Sequence, residues 1–184
     1  IVAVIDGHLY SKDGMPLPEA DLLVSLYRRF GPAFVERLDG DFALCLAGDS
    51  ELILARDPVG LRPLFYGYKD GAFYFASEMK ALQGLCAEVM ELPPGHVYTQ
   101  QQGLQSFKSL PYSVPEFDSP EEAARLLADL LRDAIEMRLK DGNVGGALLS
   151  GGLDSSAIAY LAKEFQPDLK TFTVGTGIND SEDL

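Results

Sequence analysis

The feature that most constrains the fold of this chain is a glycine- and serine-rich segment at residues 150–156, Ser-Gly-Gly-Leu-Asp-Ser-Ser. The apolar run before it predicts a strand at 144–149, and the pattern after it predicts a helix at 156–165. A second strand is predicted at 171–174. Two strands joined by a helical crossover form a right-handed parallel βαβ unit. The segment therefore predicts an open α/β sheet, which binds ligands beyond the carboxyl ends of its strands.

The residue types of the 150–156 segment suit an anion-binding loop. Gly151 and Gly152 let the backbone approach a phosphate closely, and the N–H groups of the first helical turn favour negative charge. Ser150, Ser155 and Ser156 add hydroxyl donors. The segment matches neither the Walker motif, which needs a lysine, nor the dinucleotide-binding glycine pattern. A turn with serine caps would use the same residues, but the strand–loop–helix context favours nucleotide binding.

The composition of the chain makes local geometry essential for binding any anion. Its 184 residues carry 28 acidic and 15 basic side chains, a net charge of -13. Long-range electrostatics therefore repel nucleic acid and anionic membranes, and neither is an expected partner. With neither an apolar run of about 20 residues nor a basic and apolar leader, a cytoplasmic location is expected. Because Ile1 is not methionine, we expect the native N-terminus to lie further upstream.

A long amphipathic helix is predicted before the βαβ unit. Ser119 suits the N-cap, Pro120 suits the first turn, and the helix should reach about Lys140, with Gly142 as its cap. Its apolar residues have the spacing of one buried face. These residues are Leu126, Leu127, Leu130, Leu131, Ile135 and Leu139.

A proline-rich polar stretch at 108–119 predicts a linker, and therefore domains at 1–110 and 111–184. The first domain is expected to be β-rich, a sheet with at least one helix, at 20–30, packed on it. Apolar runs separated by glycine and acidic turns predict its strands. These strands are 1–5, 41–46, 52–55, 64–68, 73–76 and 96–99. Arg56 and Asp57 are expected to form an ion pair.

The 150–156 segment resembles the pyrophosphate loop of the ATP pyrophosphatases that make acyl-adenylates. Four further blocks resemble, in order and spacing, asparagine synthetase of the glutamine-dependent type, and the likeness extends from about residue 1 to 184. The blocks are Gly40–Ala43; Leu54–Asp57 with Gly60, Pro63, Leu64 and Tyr66; Phe75–Glu78 with Lys80–Leu82; and Leu92–His96.

The resemblance implies an α+β glutaminase-like domain, an Ntn-hydrolase-like β-rich sandwich with helices. The start of an α/β domain would follow, the doubly wound parallel-sheet ATP pyrophosphatase domain. The first would hydrolyse glutamine to ammonia. The second would activate aspartate or a related carboxylate with ATP, release pyrophosphate and let ammonia attack the adenylate. The implied substrates are small molecules, and the resemblance leaves a homodimer open.

The resemblance also assigns roles in the second domain. The loop would hold the phosphates of ATP, Leu149 would border the adenosine, and the backbone of Val174 would reach the adenine. Asp154 would help to hold magnesium; otherwise it is only an acid at a helix N-terminus. The implied nucleotide-binding residues are Leu149, Ser150, Gly151, Gly152, Leu153, Asp154, Ser155, Ser156 and Val174.

The first domain departs from the family pattern at its glutamine site. The family's nucleophile is an N-terminal cysteine activated by its own α-amino group, and this chain begins with Ile1. Asp6 stands where the family has the asparagine of the oxyanion hole, next to Gly7. His8 stands where the family has glutamate, and Glu19 where it has aspartate. A carboxylate at Asp6 would repel a developing oxyanion.

Three interpretations of these departures remain open. The glutaminase site has decayed, substrate recognition has been rebuilt around other side chains, or Asp6 and His8 only cap a turn at a strand end. The leading functional hypothesis is an amide-forming ligase of the asparagine synthetase type. The alternatives are an intramolecular cyclase with an inactive glutaminase domain, like β-lactam synthetase or lasso-peptide cyclases, and a non-catalytic nucleotide-binding regulatory paralogue.

Overall fold

The computed structural model describes residues 1–10, 19–48, 51–110, 117–140 and 144–175. The chain divides into two compact units, Ile1–Tyr112 and Ser113–Leu184. The helical elements of the first unit are α1 (Glu19–Phe30) and the 3-10 helices Gly31–Arg37 and Met79–Ala81. Its strands are β1 (Val2–Leu9), β2 (Gly40–Ala47), β3 (Leu52–Arg56), β4 (Phe65–Lys69), β5 (Ala72–Ala76), β6 (Val89–Glu91), β7 (His96–Thr99) and β8 (Gly103–Ser106).

The strands of the first unit form two antiparallel sheets. The larger has the order β1-β2-β3-β7-β8 and the smaller the order β5-β4-β6. The period of two along β2 sends alternate side chains to opposite faces of the larger sheet. One face packs against α1 and the 3-10 helix Gly31–Arg37, and the other packs against the smaller sheet. The predicted α+β class is thus confirmed.

The central strands β2 and β3 of the larger sheet bury apolar side chains on both faces. On the helical face, Phe42, Leu44 and Leu46 lie in one cluster with Leu23 and Phe34. On the other face, a second cluster contains Ala43, Cys45, Leu54, Leu64, Tyr66 and Leu92. Each fully buried leucine or phenylalanine contributes roughly 1.5–3 kcal/mol. Burial also raises the pKa of the Cys45 thiol to about 11, so this cysteine stays protonated at neutral pH.

The strands at both ends of the larger sheet differ from the sequence prediction. The prediction missed β8, whose glutamine and serine residues give no apolar alternation, and it also missed the three-residue β6 of the smaller sheet. It ended β1 at Ile5, but β1 continues to Leu9 because it pairs with β2 along its whole length, from Val2↔Ala47 to Leu9↔Gly40.

In its described residues, the second unit contains two helices and a minimal parallel sheet. Its elements are α2 (Pro120–Leu139), β9 (Ala147–Leu148), α3 (Leu153–Phe165) and β10 (Thr171–Phe172). β9 and β10 pair in parallel, as a βαβ unit requires, but each contributes only two residues and both are shorter than predicted. Among the described residues, no helix is both long enough and apolar enough to cross a membrane.

The predicted N-cap of α2 is confirmed, but the predicted buried face of this helix is only half correct. The Ser119 side chain accepts a hydrogen bond from the Glu122 N–H at 3.2 Å, whereas Gly142 lies outside the described residues. The C-terminal half of the apolar face packs against α3 and Leu169, and the N-terminal half is about half exposed. The packed residues are Leu131, Ile135 and Leu139, and the exposed ones are Leu126, Leu127 and Leu130. α3 is too short to cover the whole of α2.

Candidate functional site

The 150–156 loop connects the end of β9 to the start of α3. The helix begins at Leu153, three residues earlier than predicted, so that Leu153, Asp154 and Ser155 form its first turn. Gly151 has φ +92°, a conformation that glycine adopts without steric cost. The first N–H groups of a helix have no partner within the helix, so the start of α3 offers donors at the carboxyl end of β9.

Serine side chains hold the loop in this conformation. The Ser150 and Ser155 hydroxyl oxygens lie 3.0 Å apart, and the Ser155 hydroxyl donates to the Gly152 carbonyl at 3.1 Å. The Ser150 N–H donates to the Ser155 hydroxyl oxygen at 3.2 Å. The loop geometry is therefore fixed by residues within the segment itself.

The residues predicted to border a nucleotide lie next to this loop. Leu149 follows β9, and Val174 follows β10 with a side chain that is 90% exposed. The Thr173 hydroxyl donates to the Leu149 carbonyl at 2.7 Å and joins the ends of the two parallel strands. Sequence reasoning did not single out Thr173, although a β-branched residue with a hydroxyl at a strand end was a visible signal.

The four residues predicted for the glutamine site lie together on β1 and α1, and we call them the β1 site. Asp6 and His8 lie two positions apart on the same face of β1. Glu19 is the first residue of α1, and its Oε1 accepts the Leu9 N–H at 3.0 Å. The same oxygen lies 3.9 Å from His8 Nδ1. The fold thus brings Glu19 next to His8.

Only a glycine fits at position 7, because β2 passes very close to the backbone of β1 there. Its φ is +132°, and a Cβ atom at this position would lie 1.8 Å from the Asp41 carbonyl oxygen. The strand continues past Gly7, with His8 paired to Asp41. The interpretation that Asp6 and His8 cap a turn at a strand end is therefore wrong.

Three residues that sequence reasoning missed form an ionic cluster beside Asp6. Asp41 is 8% exposed, and its Oδ2 accepts hydrogen bonds from Arg62 Nε at 3.1 Å and Nη2 at 2.9 Å. The Tyr10 hydroxyl donates to Asp41 Oδ1. Arg62 Nη1 lies 3.6 Å from Asp6 Oδ1. In the sequence, the sign of this cluster was Asp41, a charged residue at the start of the otherwise apolar strand β2.

The cluster affects the ionisation of Asp41. Burial acts to raise the pKa of this carboxyl group, but the hydrogen bonds from Tyr10 and Arg62 outweigh burial and lower the pKa below its ordinary value. The hydrogen bonds to Asp41 likewise raise the pKa of Arg62. Asp41 and Arg62 are thus a charged pair at neutral pH.

Asp57 organises the loop that carries Arg62. Its side chain is buried, and its two carboxylate oxygens accept four backbone N–H groups of the loop. The donors are the N–H groups of Val59, Gly60 and Leu61 to Oδ1, at 2.7–3.2 Å, and of Arg62 to Oδ2, at 3.2 Å. The backbone of Arg62 is therefore tied to a buried carboxylate.

Arg56 does not pair with Asp57, and that prediction is wrong. Its buried guanidinium bonds Glu91 at 2.6 Å and donates to three backbone carbonyls. The carbonyls are those of Arg62 at 2.6 Å, Leu92 at 2.8 Å and Gly60 at 3.0 Å. The two side chains act on the same loop separately because Asp57 is an acceptor for N–H groups and Arg56 is a donor for carbonyls.

Comparison with known proteins identifies a family for each part of the chain. Residues 18–102 match a glutamine amidotransferase domain, and residues 126–184 match asparagine synthase. Asparagine synthetase [glutamine-hydrolyzing] 2 of Arabidopsis thaliana is 36% identical over 180 residues, which are 90% of this chain and 31% of the relative. The Zea mays asparagine synthetase [glutamine-hydrolyzing] is 31% identical over 208 residues, which cover 100% of this chain and 35% of the relative.

Among solved structures, the glutamine phosphoribosylpyrophosphate amidotransferase of B. subtilis, complexed with ADP and GMP, is 20% identical with a TM-score of 0.49. The match covers 93% of this chain and 45% of that chain. This chain spans about a third of the length of the curated relatives it matches. With both domain types present in the same order, the chain belongs to the glutamine-dependent asparagine synthetase family.

Proposed function

We propose that the protein is an ATP-dependent amide-forming ligase of the asparagine synthetase type. A carboxylate oxygen of aspartate, or of a related acid, attacks the α-phosphorus of ATP, and pyrophosphate leaves. Ammonia then attacks the activated carbonyl carbon, an amide bond forms, and AMP leaves with the electron pair of the broken C–O bond.

The observation that carries this proposal is the geometry of the 150–156 loop. An open helix N-terminus follows directly on a parallel strand, and the loop presents serine hydroxyls and a glycine in a left-handed conformation. Oriented backbone N–H groups bind phosphate over a few ångströms, whatever the net charge of the surface. This local chemistry makes ATP binding compatible with a chain of net charge -13.

Magnesium would act at the same place. Asp154, in the first turn of α3, would offer the carboxylate oxygen that magnesium prefers, and the ion would neutralise charge on the phosphates. Leu149 and the backbone of Val174 would border the adenosine, since both follow the ends of the paired strands.

The nitrogen source is the second part of the proposal. Asp6 carries its carboxylate where the family pattern has the asparagine of an oxyanion hole, and a carboxylate opposes a developing oxyanion. We therefore propose that the second unit uses free ammonium, with the first unit retained as a folded partner. A cytoplasmic location and a homodimer remain predictions from the sequence.

The test is pyrophosphate release by the full-length protein with aspartate and ATP, using either ammonium or glutamine as the nitrogen source. Release with ammonium alone supports the whole proposal. Release with both shows a ligase whose first unit still hydrolyses glutamine. Release with neither overturns the ligase proposal and favours an intramolecular cyclase or a regulatory paralogue. A cyclase would release pyrophosphate from ATP when its substrate carries its own amine, whereas a regulatory paralogue would not.

Variants of the loop test the ATP site directly. Gly151→Val forces a β-branched residue into a left-handed conformation, and Asp154→Ala removes the proposed magnesium ligand; we expect each to weaken ATP binding at least about tenfold, or 1.4 kcal/mol. Gly145→Val is the matched control, because a Cβ at Gly145 meets nothing within 4 Å. If calorimetry gives wild-type affinity for both loop variants, the assignment of the site is wrong.

A further inference from the structure

Four aromatic rings meet between the two sheets of the first unit, and we call them the aromatic cluster. Tyr66 and Tyr68 lie two positions apart on β4, so their side chains share one face of the smaller sheet. Phe73 lies opposite Tyr68 on β5, and Tyr98 lies on β7 of the larger sheet. The Phe73 and Tyr98 rings stack with their centroids 5.1 Å apart. The aromatic cluster therefore connects the two sheets.

Two phenol groups of the aromatic cluster bond each other at its edge. The Tyr68 and Tyr98 hydroxyl oxygens lie 2.6 Å apart, which is the distance of a well-formed O–H···O hydrogen bond. Tyr68 is 45% exposed, and Tyr98 is partly buried. The edge-on contact between the Tyr68 and Phe73 rings, with centroids 5.1 Å apart, holds Tyr68 against the cluster. Solvent therefore reaches the phenol pair, while ring packing keeps the two hydroxyl groups together.

The phenol pair is neutral at ordinary pH. Burial, together with the hydrogen bond to Tyr98, raises the pKa of Tyr68 to about 12. Two other phenols of the first unit, Tyr10 and Tyr27, donate to carboxylates instead. A neutral phenol in contact with a second phenol is suited to one-electron oxidation, because two neighbouring phenoxyl radicals combine with each other.

We propose that Tyr68 and Tyr98 are a site of oxidative modification, at which a haem peroxidase with hydrogen peroxide joins the two rings by a carbon–carbon bond. Each phenol gives up one electron and one proton, so that two phenoxyl radicals form and hydrogen peroxide is reduced to two molecules of water. The radicals couple through their ortho carbons. The two ortho hydrogens then leave as protons, and both oxygens are protonated again. The product is a dityrosine link with two hydrogen atoms fewer than the separate side chains.

The contact between the hydroxyl groups resembles the geometry of the product. In an ortho-linked biphenol the two hydroxyl groups flank the new bond and hydrogen-bond each other, as those of Tyr68 and Tyr98 already do. Coupling requires the two ortho carbons to meet, and the exposed side of the Tyr68 ring leaves it room to turn. Reactive groups held in contact combine far faster than groups that must diffuse together. Because the two residues are 30 positions apart, the link would close a loop between the sheets and lower the entropy of the unfolded chain.

The experiment treats the full-length protein with a haem peroxidase and hydrogen peroxide and then digests the monomer band of a denaturing gel with trypsin. Cleavage after lysine and arginine, except before proline, releases Tyr68 in peptide 57–69 and Tyr98 in peptide 81–108. We expect mass spectrometry to find these two peptides joined, with the loss of two hydrogen atoms, together with dityrosine fluorescence. Tyr68→Phe and Tyr98→Phe should each abolish the joined peptides. Phenylalanine keeps the ring in the aromatic cluster, so neither variant disturbs the packing.

Two control variants test whether the phenol pair itself is the site. Tyr66→Phe removes the other phenol of peptide 57–69, which is only 7% exposed, and should leave the link intact. Tyr160→Phe removes a phenol of the second unit that is 74% exposed and should also leave it intact. The proposal is overturned if wild-type monomer yields no joined peptides, if Tyr68→Phe still yields them, or if either control variant loses them. Joined peptides confined to covalent dimers would overturn it as well, because the pair must couple within one chain.

Discussion

The two candidate sites are built in opposite ways. In the 150–156 loop, the hydrogen bonds that shape the site join residues no more than five positions apart. In the β1 site, Asp6 meets Arg62 and Glu19 meets Leu9, so that β1, α1 and the 57–62 loop must all be in place. The first site depends on local sequence and the second on the whole fold of its unit.

The β1 site is also surrounded by more deeply buried residues than the 150–156 loop. β2, next to the β1 site, is buried along almost its whole length, and both of its faces are covered. In the second unit, the side chains of Leu148, Leu153 and Val174 are largely exposed, although all three are apolar. Substitutions in the first unit should therefore propagate to its site, while those in the second should remain local.

The largest expected effect is that of Gly7→Ala in the first unit. A Cβ at this position would collide with the Asp41 carbonyl at 1.8 Å, so β1 must move away from β2, at a cost of about 3 kcal/mol. Gly71→Ala is the matched control. Its φ is also positive, at +79°, but a Cβ meets nothing within 4 Å, so only the backbone strain of about 1 kcal/mol applies.

Hydrogen–deuterium exchange resolved by peptide measures both variants. Gly7→Ala should increase exchange in β1 and β2 and leave α3 unchanged. Equal effects of the two glycine substitutions would show that β1 does not depend on its close contact with β2, and the contrast between the two sites would fail.

A smaller effect is expected within α2, where one apolar face is covered along only half its length. Ile135→Ala removes a buried side chain and should destabilise the second unit by about 2 kcal/mol. Leu127→Ala removes a side chain that is 58% exposed and should cost less than about 0.5 kcal/mol. Exchange protection of α2 and α3 measures the difference. A large effect of Leu127→Ala would show that its side chain is covered in the full-length protein.

The smallest effect concerns the pH dependence of the first unit. The pKa of Asp41 is lower in the folded unit than in the unfolded chain, so its ionised form stabilises the fold at neutral pH. This contribution is fully present above the unfolded pKa and is lost as the pH falls through the folded pKa. Wild-type protein should therefore lose more stability than Asp41→Asn between about pH 5 and pH 2. Urea unfolding at each pH tests this, and parallel losses would contradict it.

The sequence was sufficient where the signal was local. The Ser119 cap, the α1 and α2 helices and the strand–loop–helix order at 144–165 all follow from residues that are close neighbours in the chain. The sequence was insufficient where the hydrogen-bond or ion-pair partner of a side chain is distant in the chain. The ion pair assigned to Arg56 and Asp57 failed because adjacency in sequence does not decide which carbonyls and N–H groups surround a buried charge.

By itself, the sequence determined the two kinds of domain, their order and the strand–loop–helix arrangement around the 150–156 loop, because hydrophobic periodicity and turn residues act over a few positions. Only the tertiary structure decided that Glu19 lies next to His8, and that Arg62 and Asp41 form an ionic cluster beside Asp6. Charges so far apart in sequence meet only when strand register and loop conformation are both fixed. That requirement is satisfied by the packed core of the first unit.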